Sequence, residues 1–329
     1  MKIYLTFLFL VLAFQNASAQ KKTNWQLLKL SEDDDYLNLR GEGTDRGYSS
    51  GLKLEFLYTK NVKPRFPNTL LMQIHENADN LYGLSLTQRM YTPGNIMAKE
   101  IQYGERPYAG VTYLTSTLTS SNPNSHEKLT TSVSLGAIGK LSGGEEFQTW
   151  IHSVINYDKP KGWDNQITND IVLNYYINYE RMIIHPAPNL EVLGNVQMNA
   201  GTIWNNMGLG LKFRAGIFNE YFSNYEKPTY HPTGESNRTK RKFQCFFYMQ
   251  TVGSAIMDDA TLQGGFFTHD TSPYVIARDN LNRFIVQYEY GIVLSNRTFG
   301  LSFASKFRTA EFEGDYTQQV GNITLYIGL

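Results

Sequence analysis

An all-β chain, closed as a twelve-stranded antiparallel transmembrane β-barrel with one short helix in a long extracellular loop, is the fold class this sequence predicts. Three observations point there. About twelve segments alternate apolar and polar side chains with a period of two. Beyond the N-terminus no run of about 18 apolar residues exists, which excludes a transmembrane helix. Aromatics reach 14%, with 22 Tyr and 19 Phe, while a single cysteine, Cys245, rules out an intrachain disulfide. An exported, aromatic-rich, β-patterned chain without disulfides has the profile of an outer-membrane barrel. Lys+Arg and Asp+Glu balance at 30 each, which argues against a nucleic-acid partner held by charge.

The chain starts as a secretory signal. Lys2 precedes an apolar run over residues 3–14 that is too short to cross a bilayer, and Ala17-Ser18-Ala19 fits the small-residue cleavage pattern. Residues 1–19 are therefore expected to be a signal peptide and residues 20–329 one barrel domain. A first strand at residues 25–30 runs into Glu32-Asp33-Asp34-Asp35, and a polar loop leads to a strand at 48–60. There Leu52, Leu54, Phe56 and Tyr58 alternate with Lys53 and Glu55. In a barrel the apolar side faces lipid and the charged side the lumen.

The pattern repeats with Leu84 and Leu86 against Ser85 and Thr87, and less cleanly over 109–118. It returns with Val133 and Leu135 against Ser132 and Ser134, and with Leu173 and Tyr175 against Asn174. Residues 190–199, 207–214, 243–249, 284–292, 299–308 and 321–329 supply the rest. The count of about twelve is even, as bacterial barrels require. Long connections at 60–80, 91–107, 140–166, 218–240 and 255–281, against short ones at 185–188 and 295–296, predict tight turns on one rim and long loops on the other. The stretch 221–242, ending in Arg238 and Lys240-Arg241-Lys242, reads as a solvated loop.

One segment breaks the period of two. Residues 143–166, GGEEFQTWIHSVINYDKPKGWDNQ, scan as a helix with Phe147, Ile151, Val154 and Ile155 on one apolar face. Gln148 and His152, four apart, share a neighbouring face. A helical Gln/His pair in a β chain is a candidate for chemistry, although a histidine beside an apolar face is often only a packing residue.

Two other segments could join it. The four acids before Tyr36 read most simply as a solvated loop, yet they also offer hard oxygen ligands for calcium. The stretch TDRGYSSG contains GYSSG, a match to the nucleophile elbow, but Ser49 precedes a strand rather than a helix, so the match is weak. No Cys/His cluster and no H-E-x-x-H occur, which argues against zinc.

Taken in order, EDDDYLNLRGEGTDRGYSSGL (32–52), QRMYTPGNI (88–96), ERPYAG (105–110), GGEEFQTWIH (143–152), GWDNQ (162–166) and FRTAEF (307–312) resemble the lipid A 3'-O-deacylases of the outer membrane, over essentially the whole mature chain. The resemblance implies a histidine general base on a loop helix, assisted by Ca2+. His152 and Gln148 match the family's histidine and glutamine. Asp34-Asp35 falls where the family has an Asn-Asp pair, and the run of acids equally allows Asp33-Asp34. Ser49 stands in place of a threonine, Asp158 near a glutamate, and Lys99 near a loop lysine.

The implied reaction is hydrolysis of an ester-linked acyl chain of lipid A, in the lipopolysaccharide of the outer membrane, by a monomeric enzyme. The implied catalytic set is His152, Asp35, Ser49 and Gln148. Asp34, Asp35 and Asp158 would serve the metal, and Lys99 and Arg106 the lipid phosphates. Two other readings stay open: Ser49 as a nucleophile with His152 as its base, and a non-catalytic porin, transport or structural barrel.

Overall fold

The computed structural model describes residues 23–35, 46–60, 66–222, 243–296 and 298–329. The expected signal peptide and the basic run at 238–242 lie outside the described residues. Twelve antiparallel strands close into a barrel: β1 (Thr23–Asp34), β2 (Gly47–Lys60), β3 (Asp79–Thr92), β4 (Ala109–Asn122), β5 (Glu127–Ile138), β6 (Asp170–Ala187), β7 (Leu190–Gly201), β8 (Trp204–Ile217), β9 (Phe243–Asp259), β10 (Phe284–Asn296), β11 (Phe299–Arg308) and β12 (Gln318–Gly328). Each strand pairs with its sequence neighbours, and β1 seals against β12 from Leu27↔Gly328 to Asp34↔Gly321. Closure removes the edges that lipid could not satisfy.

The strand period sorts side chains to two faces. Lys29, Glu55, Arg89, Thr115, Ser132, Asn178 and Gln287 line a polar lumen cavity of about 630 Å³. The opposite positions carry leucine at paired sites on nine successive strands: Leu294, Leu301, Leu325, Leu30, Leu54, Leu86, Leu114, Leu135 and Leu173. That row faces lipid. Ion pairs between neighbouring inward positions line the inner wall, with Glu180 held by Lys128 and Lys212 and Glu55 by Lys29 and Lys53. After β8, Tyr221 turns into the barrel and its hydroxyl donates to Glu180 Oε1 (2.6 Å). At the other end Tyr91, Val111, Tyr113, Ile138, Val172 and Ile203 form an apolar cluster under the loops.

Two expectations about the rims are corrected. The connections 61–78 and 218–242 open on the same rim as the short turns at 123–126 and 188–189, so long loops occupy both rims. Conversely, β7 joins β8 through only residues 202–203 on the other rim. Strand parity fixes the rim, and loop length is independent of it. The acidic run is also corrected: Glu32, Asp33 and Asp34 are not loop residues but paired members of β1.

Candidate active site

The acidic run is divided by the pleat. Asp33 points into the lumen, where Lys306 Nζ (2.6 Å), Asn322 Nδ2 (2.7 Å) and the Tyr48 hydroxyl (3.1 Å) all donate to its carboxylate. The alternation turns Asp34 to the outer side, and Asp35 follows the end of the strand. Asp34 pairs with Ser50, and the Asp35 N–H donates to the Ser49 carbonyl (3.2 Å). Buried Asp35 accepts the Arg46 backbone N–H at Oδ2 (3.1 Å). Arg46 itself pairs with Glu105 (2.7 Å). Burial alone would lower the Arg46 pKa, but Glu105 outweighs it and the net direction is up.

Ser49 is the extra residue of a β-bulge, because Tyr48 pairs with Tyr91 and Ser50 with Met90. The bulge turns Ser49 away from the lumen-facing Tyr48 and onto the outer side of β3. There its hydroxyl meets Thr92 Oγ1 at 2.5 Å. Among the described residues no imidazole hydrogen-bonds this hydroxyl, and it leads into β2 rather than a helix.

The helix α1 (Gly144–Val154) leans on the same outer wall. The Ser142 carbonyl just before it accepts from Thr112 Oγ1 (2.7 Å) and Gln88 Nε2 (3.3 Å), both outward positions. A Cβ at Gly110 would lie 2.2 Å from Ser142 Oγ and 3.2 Å from Gly144 Cα, so only glycine lets the helix approach this closely. Phe147 and Ile151 pack onto Met90, Tyr108 and Trp163. The expected helix is shorter than 143–166, and Val154 and Ile155 do not join its inner face: they are 67% and 63% exposed. The polar pair is buried instead, with Gln148 2% and His152 4% exposed. Burial, then the neighbouring Glu146, raises the Glu145 carboxyl above its usual range.

Two contacts orient that pair by donor chemistry alone. The Trp163 indole N–H can only donate, so the atom it meets at 2.8 Å is Gln148 Oε1, and the amide's NH2 faces the other way. The Asp158 carbonyl can only accept, so His152 Nδ1, 2.5 Å from it, carries the proton. In the neutral ring Nε2 is then the basic nitrogen. Tyr157 packs edge-on against the imidazole at 5.2 Å.

The remaining expected residues are placed as follows. Asp158 meets the site through its backbone carbonyl, and its side chain is exposed. Lys99 is exposed on the rim, with its carbonyl bound by Asn165 Nδ2 (2.6 Å). Arg106 is buried: it pairs with Glu311, donates to Thr261 Oγ1 (2.6 Å) and stacks on Tyr91 at 4.2 Å. It braces the barrel mouth rather than presenting itself to a lipid phosphate. Trp163 and Thr92 lie within the motifs quoted above, yet sequence reasoning gave them no role. An indole in the polar stretch GWDNQ was the available signal.

A divalent cation needs oxygen donors here. Among the described residues no three His, Cys, Asp or Glu side chains converge. Asp34, Asp35 and the Ser49 hydroxyl are hard oxygen donors, which suits calcium in kind and not zinc.

The quoted motifs meet around this end of the barrel, through Ser49–Thr92, Arg46–Glu105, Trp163–Gln148, Arg106–Glu311 and the cluster of Phe147 with Met90, Tyr108 and Trp163. The family model described as outer membrane protein LpxR matches residues 5–329. The structure of LpxR from Salmonella typhimurium superposes with a TM-score of 0.71 at 18% identity, covering 92% of this chain and 100% of that one. The β domain of the Bordetella autotransporter BrkA covers 94% of this chain and 99% of its own at a TM-score of 0.43 and 9% identity. No curated protein sequence matches.

Proposed function

This chain belongs to the LpxR outer-membrane protein family, and from that premise we propose that it hydrolyses an ester-linked acyl chain, the 3'-linked one, of lipid A. The observation that carries the reading is the contact of His152 Nδ1 with the Asp158 carbonyl, which makes Nε2 the base nitrogen of a buried imidazole. Water adds to the ester carbonyl as Nε2 takes its proton. The tetrahedral intermediate collapses to the carboxylic acid, and the imidazolium returns the proton to the sugar alkoxide. The Gln148 NH2, turned by Trp163, is a donor for the oxyanion, and donors fixed before reaction stabilise it without reorganisation.

A calcium ion at Asp34, Asp35 and Ser49 would supply Lewis-acid polarisation of the ester carbonyl. Lys99 on the rim would meet a lipid phosphate, while Arg106 serves the fold. The site lies against the lipid-facing wall, so the acyl chain need not leave the bilayer to reach it. Ser49 as a nucleophile is disfavoured, because its hydroxyl bonds Thr92 and not an imidazole. A pore is disfavoured by Tyr221, which turns into the barrel from the end of β8 and binds Glu180 and Lys212 on the inner wall.

The test is mass spectrometry of lipid A from cells making the wild type or His152→Ala, with barrel integrity read from the gel-mobility shift on heating. Loss of the acyl-deficient species in a folded mutant is expected. A folded mutant that deacylates at the wild-type rate sinks the assignment.

A further inference from the structure

The helix α1 has two flanks. Gln148 and His152 share one, and Trp150 and Val154, also four apart, share the opposite one. Trp150 is 50% and Val154 67% exposed, with Leu141 bare just before the helix. Between the flanks, on the side away from the barrel, stand the polar residues Glu146, Thr149 and Ser153.

The barrel decides what can cover that apolar flank. The helix is seated on the outward positions Gln88, Gly110 and Thr112, so it lies outside the wall and not above the lumen. Two residues further down the same strands, the outward positions are the paired Leu86 and Leu114, followed by Leu135 and Leu173 on β5 and β6. These belong to the row that lipid already covers. We infer that the Trp150–Val154 flank, with Leu141 before it, is embedded in the acyl region of the outer leaflet, so that α1 is an interfacial helix held between lipid and barrel wall.

Lipid is the occupant rather than a second copy of the chain, because the outward positions two residues below the helix's seat are the lipid-facing leucines. The polar strip of Glu146, Thr149 and Ser153 is then turned to headgroups and water, as in amphipathic interfacial helices. Tryptophan at such a boundary is favoured for its apolar ring and polar N–H. One side of the helix thus holds Gln148 and His152 while the other grips the membrane. This inference does not depend on the deacylase reading, and its readout needs no substrate.

The experiment uses the full chain in phosphatidylcholine–phosphatidylglycerol vesicles whose acyl chains carry bromine. Subtracting the emission of Trp150→Phe from that of the wild type isolates Trp150 from Trp25, Trp163 and Trp204. That difference is expected to be blue-shifted, quenched about twofold by brominated chains and shielded from aqueous iodide. A nitroxide at Val154→Cys, in a Cys245→Ser background, is expected to collide more with oxygen than with a water-soluble nickel chelate. Quenching of Trp150 by iodide with no response to bromine overturns the inference. So does shielding that appears only as protein is concentrated in the bilayer, which would mean a second copy covers the flank. Neither result bears on whether His152 is a base.

Discussion

Asp33 and Asp34 are neighbours in sequence, as are Tyr48 and Ser49, and Tyr91 and Thr92, yet each pair is split between the two faces of one wall. On the inner face Asp33, Tyr48 and Lys306 bind one another and neutralise charge inside a polar lumen. On the outer face Asp34, Ser49 and Thr92 stand beside α1 and its buried Gln148 and His152. The inner set satisfies its charges within the protein, which is what a barrel interior requires for stability. On the outer side Gln148 and His152 are oriented by groups outside the pair, Trp163 and the Asp158 carbonyl, which is what the proposed reaction requires.

Substitutions should separate these two faces. The largest expected effect is on the outer one: His152→Ala lowers the deacylation rate by about a thousandfold while the heating shift in gel mobility persists. Removing divalent cations with a chelator comes next, with a loss of about a hundredfold that calcium restores, measured on purified lipid A. An unchanged rate under chelation removes the cation from the proposal and leaves the histidine in place. Trp163→Phe keeps the ring in its cluster with Met90 and Tyr108 but deletes the donor to Gln148. A fall of about tenfold in kcat with little change in KM is expected, as for a donor that acts mainly on the transition state.

The inner face should answer in the opposite currency. Asp33→Ala leaves Lys306 without its carboxylate and should cost about 1–3 kcal/mol in urea unfolding, with deacylation unchanged. If Asp33→Ala abolished turnover in a folded barrel, the division between the faces would be wrong. Smallest of all, conductance across a planar bilayer should stay near background, because Tyr221 folds into the barrel onto Glu180, Lys128 and Lys212. Steady conductance would restore the pore reading.

Much of this was legible in the sequence. The period of two in segments such as 52–58 and 171–179 fixed the barrel, because lipid admits only closed sheets or helices. Six short motifs in order marked the family, and Gln148 and His152 stood out as polar residues on a lone helix. The acidic run misled because four consecutive acids read as loop, whereas the pleat can hide one inside and leave the next outside. Val154 and Ile155 misled for a related reason: an apolar residue on a barrel's rim can face lipid as readily as a core.

The sequence by itself determined the strand pattern, the even count and the presence of a helix carrying a histidine, since these depend on local periodicity. Only the tertiary structure decided that the candidate site lies on the outer wall and not in the lumen. That follows from the bulge at Ser49, the close approach of Gly110 to Gly144, and the pairing register that sets Asp33 inside. Each of these rests on which strand lies beside which, and that is long-range information no window of sequence holds.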